Sequence, residues 1–324
     1  MNWKKEFVKM LFPRDPGKLN IEGAYLLKHQ YLPKSVFKYR CVDEKSLENL
    51  KNDTVWLAYP GDYNDPYDSA LSINYDKLTN QLINKNLNSF VHNFEGKIPK
   101  DEMERICKTK KPFNELNNFL LSQIPNSKMK DFFASLPEKL CSEITEQFNQ
   151  KIKRSLKICC FSAKVDTILM WTHYTDCHKG FCVEYDLTNI PCKDCRIRCL
   201  YPVLYTNKLF NVTSHIITSL TDPVNILYLT LSALSKLSEW KYENEWRLIF
   251  PGGLIPNPGP YDMGRPKTIY LGVKFDDTSD NGKRVIEIAK QKNIPVLKMT
   301  LANDKFKLIP KTLEDCKRIL PGIE

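Results

Sequence analysis

The sequence predicts an α+β protein. Strand-like and helix-like stretches are mixed along it without the strict βαβ alternation of a parallel sheet. A polar, helix-biased zone at 76–157 separates two strand-bearing regions. Only 12 of the 324 residues are glycine, and no G-x-G-x-x-G or G-x-x-x-x-G-K-S/T string occurs, which argues against a dinucleotide-binding or P-loop α/β fold. Hydrophobic residues at 42% and charged residues at 27% are those of an ordinary globular protein, with room for one large domain or two small ones.

Each element has its own reason. Residues 1–32 read as one or two short helices broken by Pro13 and Gly17. SVFKYRCV reads as a strand, SLENLKN as a short helix and TVWLAYP as a second strand. GDYNDPYD follows as a turn, since Gly, Asn, Asp and Pro each favour turn geometry. Within 76–157, FNELNNFLLSQI and LCSEITEQF repeat apolar residues at three- and four-residue spacing, while EGKIPKD and SLPEK read as loops. ICCFSA is a short apolar strand ending at Ser162 and Ala163. Asp166 or Thr167 caps a helix through ILMWTHYTDC, and Gly180 is expected to end it in the left-handed conformation. FCVEYDL alternates as a strand and RCLYPVLYT reads as another; TDPVNILYLTLSALSKL reads as a helix. NEWRLIF and TIYLGVKF are strands, SDNGKRVIEIAKQKN is a helix, and VLKMTL is expected to close the fold.

The formal charge of +10, from 48 basic and 38 acidic residues, favours encounter with an anion such as nucleic acid or a dinucleotide. The lysines are scattered and form no basic arm, so the charge permits such a partner without demanding one. No run of about 18 apolar residues suggests a bilayer span. The opening MNWKKEFVKMLFPRD has charges inside its apolar stretch and no small-residue cleavage site, so a cytoplasmic chain without a membrane partner is expected. The 11 cysteines then read as reduced thiols. Cys192 and Cys195 have zinc-ligand spacing, which Cys199, Cys182, His173 or His178 would complete, but no second C-x-x-C pair supports this and loop or buried thiols are the plainer reading.

Three strand ends carry residues suited to chemistry: Tyr39 and Arg40 in FKYR, Ser162 in ICCFSA, and Glu243 and Glu245 in YENEWRLIFPGG. Two residues apart on an extended backbone, Glu243 and Glu245 share a face, and two carboxylates there repel unless a cation, a proton or a substrate hydroxyl separates them. Arg247 is the plain candidate to neutralise either one. Trp171 and Tyr174, three apart on an apolar helix face, suit the core as readily as a ligand. Asp65 and Asp68 are explained by turn chemistry, with Arg40 available to tie the turn down.

The stretches LKNDTVWLAYPGDYNDPYD, CFSAKVDTILMWTHYTDCHKGFCVEYDL and EWKYENEWRLIFPGG resemble a large bacterial family of unassigned function, with an NDP-F/Y-D/E turn, an MWxHY helix ending in Gly and a YExEWR strand. The order of blocks also resembles the arginine–serine–glutamate ADP-ribosyltransferases, with Arg40, Ser162 and the pair Glu243 and Glu245 at the three motif positions, although the serine motif here is Cys160-Phe161-Ser162. That resemblance implies a single catalytic domain over 1–324 with a split, mixed or antiparallel sheet core. The zone 76–157, which no resemblance covers, reads from its polar, helix-biased pattern as a helical insertion or lid within it. It implies NAD as substrate, no metal, and transfer of ADP-ribose to a macromolecule or to water, in a toxin or phage-defence setting that it allows without showing. Glu245 would face the developing oxocarbenium charge and hold the ribose 2′-hydroxyl, Glu243 would orient the acceptor, and Ser162 would hold Glu245 and bond the ribose. Arg40 would pair with a phosphate or ribose edge, and Tyr39, Trp171 or Tyr174 would stack on nicotinamide or adenine. Two other classes compete: a magnesium-dependent nuclease using Asp65, Asp68, Glu243, Glu245 and His173, and a non-enzymatic binding module in which the same residues form a structural network.

Overall fold

Residues 2–255 and 257–318 are described by the structure, a computed structural model. Helices α1 (Trp3–Leu11) and α2 (Ile21–Gln30) precede strand β1 (Ser35–Arg40), helix α3 (Glu44–Lys51), β2 (Thr54–Leu57) and β3 (Leu71–Ser72). Five helices follow: α4 (Tyr75–Lys85), α5 (Leu87–Asn93), α6 (Lys100–Cys107), α7 (Pro112–Ser122) and α8 (Ser127–Ser155). Then come β4 (Leu156–Ser162), α9 (Ile168–Tyr174), β5 (Phe181–Asp186), β6 (Leu200–Pro202), β7 (Leu204–Thr206), β8 (Phe210–Asn211), β9 (Ser235–Leu237) and β10 (Glu245–Pro251). The chain continues through β11 (Gly259–Asp262), β12 (Thr268–Leu271), the helix Asp280–Gln291, β13 (Val296–Leu301) and β14 (Leu308–Thr312).

Eight strands form one sheet in the order β14-β13-β12-β5-β1-β4-β10-β6, antiparallel at every pairing except β12 with β13. The sequence predicts this mixed α+β character correctly, and the observed sheet is large and mostly antiparallel. The eight strands hydrogen-bond as one sheet; the remaining strands pair in two-stranded ribbons, β2 with β11, β3 with β8 and β7 with β9. Both faces are covered, because successive side chains point to opposite sides. Leu248 and Phe250 of β10 join one core with Val36, Phe161 and the Val285 and Ala289 face of the helix Asp280–Gln291. Ile249 joins the other, against Phe7 and Leu11 of α1. Tyr39, Met170 and Trp171 form a third cluster where α9 packs on the sheet.

Several sequence-based boundaries move. SLPEK is not a loop: Pro137 lies inside the 29-residue α8, where good helix formers on both sides carry the helix past the one hydrogen bond the ring removes. RCLYPVLYT divides between β6 and β7, which pair with β10 and β9 respectively; Pro202 has no N–H to continue the ladder. TDPVNILYLTLSALSKL is not one helix but a 3-10 turn Ile226–Leu229, a short helix Thr230–Leu234 and then β9. VLKMTL does not close the fold, since β14 adds a further edge strand. Gly180 does not end α9 in a left-handed turn. Asp176, Cys177 and His178 take that conformation, and Gly180 is needed because a Cβ there would lie 2.1 Å from the Arg40 carbonyl oxygen. Among the described residues, no helix is long and apolar enough to cross a membrane.

Candidate active site

The antiparallel pairing of β4 with β10 sets Ser162 opposite Glu245, and each strand end opens on the same side of the sheet. The chain enters β10 from a 3-10 turn, Ser238–Glu243, through Asn244, whose left-handed φ of 46° reverses the backbone. Glu243 and Glu245 therefore do not share a face by extended alternation, as the two-residue spacing suggests. They converge through that reversal, on a cation the sequence reading passes over. Lys236, carried by β9, donates to Glu243 Oε2 at 2.5 Å and to Glu245 Oε2 at 2.9 Å. Its signal in the sequence is a single lysine inside the apolar run LSALSKLSEW, disguised by helical periodicity.

The pair belongs to a longer chain of charges. Arg247, with 0% of its surface exposed, donates from Nε to Glu245 Oε1 at 2.8 Å and from both terminal nitrogens to Asp68 at 2.7 and 2.6 Å. A forked guanidinium on a carboxylate is the strong, geometrically specific form of ion pair. Asp68 reaches it from the NDPYD turn, held by the Asp65 side chain accepting from the Tyr67 N–H and by a left-handed Ser69. Arg247 thus holds the turn that Arg40 was expected to tie down. At the far end Tyr174 of α9 donates its hydroxyl to Glu243 Oε1 at 2.7 Å.

Three carboxylates (Asp68, Glu243, Glu245) face two cations (Arg247, Lys236), so one negative charge is left over. The glutamates divide accordingly. Burial alone would raise Glu245, but Arg247 and Lys236 beside it hold it well below the usual carboxylate range. Burial and the charge of Glu245 push Glu243 above that range, against the pull of Lys236. Lys236, despite its burial, is raised by Glu245 and Glu243 and stays an ammonium. Burial and Glu245 drive the Cys160 thiol well up, so it is no nucleophile at neutral pH.

Asp68, Lys236, Glu243, Glu245 and Cys160, with Arg247 behind them, line a cavity of about 270 Å³, with Phe37, Trp56, Ile158 and Met170 as apolar wall and Lys38, Tyr63 and Asn64 among its polar groups. A second cavity of about 560 Å³ shares Asn64 and Lys236 with it and runs on past Tyr67 and Trp240. Of the predicted site residues, Glu243, Glu245, Ser162, Tyr174 and Tyr39 reach the first cavity. Ser162 does not hold the Glu245 carboxylate: its hydroxyl donates to the Glu243 carbonyl at 2.7 Å and accepts from the Lys164 N–H. Tyr39 spends its hydroxyl on the Lys164 carbonyl and its ring on the edge of Trp171. Trp171 is a core residue, fully buried with its indole N–H on the Val165 carbonyl. Arg40 lies away from the cavity near Tyr185 and the Thr54 carbonyl, and Lys38 is the β1 cation that faces it. Helices α4–α8 supply none of the lining side chains. Cys192, Cys195 and Cys199 join no metal-binding cluster of three or more His, Cys, Asp or Glu residues among those described.

The family comparison falls on this same region. Residues 170–248 match a family described as "Protein of unknown function (DUF2971)". The match fits the resemblance to a family without an assigned function, and it spans Tyr174, Lys236, Glu243, Glu245 and Arg247 while leaving out Asp68, Lys38 and Ser162. No curated protein and no solved structure matches the chain.

Proposed function

We propose that the cavity is the active site of an ADP-ribosyltransferase-like enzyme that breaks the bond between nicotinamide and ribose in NAD and passes the ADP-ribosyl group to a macromolecule or to water. The observation that carries this reading is the Glu243 carboxylate in the cavity wall, oriented by Tyr174 and Lys236 and raised above its ordinary range. The role first given to Glu245 passes to Glu243. Arg247 reaches both oxygens of Glu245 in addition to Lys236 and holds that carboxylate well below its ordinary range, whereas Glu243 has no guanidinium partner among the described residues and is raised. Glu245 then acts as the anchor that fixes Lys236.

The chemistry balances without a further reagent. The bond from ribose C1′ to the nicotinamide nitrogen breaks, and its electron pair leaves with neutral nicotinamide. The oxocarbenium-like centre is stabilised by the Glu243 carboxylate, which also accepts a hydrogen bond from the ribose 2′-hydroxyl. A nucleophile then bonds to C1′ and gives its proton to Glu243, whose raised affinity suits that step. In this reading nicotinamide and its ribose occupy the smaller cavity, the adenosine half extends past Lys236 and Asn64 into the larger one, and Lys38 takes the anion-binding role first given to Arg40.

The complete pairing of Arg247 favours the second reading, a binding module in which the charges are structural. Nicotinamide release from NAD in EDTA separates the two. Wild-type protein is expected to release it, and Glu243→Gln to do so roughly 100-fold more slowly or worse. Silence from wild type both in this assay and with labelled NAD in lysate would sink the proposal, and magnesium-dependent cleavage of nucleic acid would give the carboxylates to a nuclease.

A further inference from the structure

Helix α8 is anchored along one face only. The Thr145 hydroxyl donates to the Cys141 carbonyl and is hydrogen-bonded to the Tyr75 hydroxyl, Asn149 pairs with both backbone groups of Leu71, and Lys153 donates to the Pro66 carbonyl. These three residues recur every four positions and mark the side turned to the body. The opposite side carries Met129, Phe133, Leu136, Leu140 and Ile144, spaced by four, three, four and four, with Phe132 at its margin. Excepting the half-buried Leu136, these side chains are 41% to 54% exposed. An apolar stripe of this length on the outside of a helix marks a surface for a partner.

The stripe reads nearly the same in both directions. Turned end for end about an axis beside Leu136 and Pro137, Met129 meets Ile144 and Phe133 meets Leu140. The charges at its edge follow the same symmetry. Lys128 and Glu146 are five turns apart at about 3.6 residues per turn, so they sit on the same edge. In an antiparallel pair related by a two-fold axis, equal edges face each other, and Lys128 of each helix meets Glu146 of the other, with Glu143 one turn away. Two ion pairs then close the two ends of an overlap of about 27 Å. A partner unrelated to this chain has no reason to match both the apolar order and the sign of the charges.

We propose that α8 is the interface of a symmetric homodimer, pairing antiparallel with the α8 of a second copy. The test is sedimentation equilibrium on the full-length chain. Wild type is expected at twice the chain mass, and Leu140→Glu, which changes a side chain exposed in the monomer, at the single mass with unchanged helix content. Lys128→Glu sets like charges together at both ends and is expected to weaken association at least tenfold; Glu146→Lys does the same. The two substitutions combined in one chain restore opposite signs and are expected to restore the dimer. A monomeric wild type, a dimer indifferent to Leu140→Glu, or a double variant no stronger than the singles would each overturn the proposal. Flotation of a monomeric wild type with phospholipid vesicles would assign the stripe to a membrane surface instead.

Discussion

Lys236 separates two carboxylates that would otherwise face each other in a dry wall, and their opposite shifts have opposite consequences for stability. Glu243 has its affinity for a proton raised in the fold, above an ordinary value of 4.5. Between 4.5 and that raised value the folded chain holds a proton the unfolded chain lacks, so this residue makes stability fall as pH rises through the window. Glu245 is lowered and works the other way: its contribution is full above 4.5 and is lost on acidification below it. Urea midpoints measured from about pH 5 to about pH 8 should therefore decline less with pH in Glu243→Gln than in wild type. An identical slope in both proteins would mean that Glu243 is not raised. At this scale the sequence shows the two glutamates and Arg247 but not their order. A two-residue spacing says that carboxylates are near each other, not which one carries the Arg247 guanidinium in addition to a lysine from another strand.

At the scale of the element, the legible parts are those whose pattern and burial agree. β1, β4, β5 and β10 lie inside the sheet and read as apolar or alternating runs. β14 escapes notice because Pro310 stands in its middle, tolerable on an outermost strand where one side needs no partner. β9 escapes because SALSKL has helical spacing, and the pairing with β7, together with the ion pairs of Lys236, overrides that propensity. Gly180 belongs here too, since its meaning lies in how the start of β5 passes the end of β1. Gly180→Ala places a methyl group against the Arg40 carbonyl and is expected to cost about 1–3 kcal/mol, read as a lowered thermal midpoint. A midpoint equal to wild type would show that the two strands separate there at no cost.

For the whole molecule, the fold class was open to sequence reasoning because alternation, turns and the helix-rich interval are local signals. The site was open only in part, because it depends on contacts among distant segments. The Asp68 and Arg247 pair has a sequence separation of 179 and straddles all of α4–α8. Asp68→Ala leaves a guanidinium buried with one carboxylate in place of two, which is expected to cost about 3–5 kcal/mol in chemical denaturation. A loss below about 1 kcal/mol would mean that water enters to replace the aspartate.

That long span also bears on how the protein is born. Four of the five charges, Lys236, Glu243, Glu245 and Arg247, lie within one short stretch late in the chain, and Asp68 waits far ahead of them. During synthesis the NDPYD turn emerges early and stays without its guanidinium until the ribosome has released β10. Strand β10, seated between β4 and β6, brings that guanidinium, so the charged wall of the cavity is completed only late, with β12, β13 and β14 of the sheet still to come. A chain stopped before residue 247 contains every helix of the 76–157 interval and still lacks the one guanidinium that joins Asp68 to Glu245.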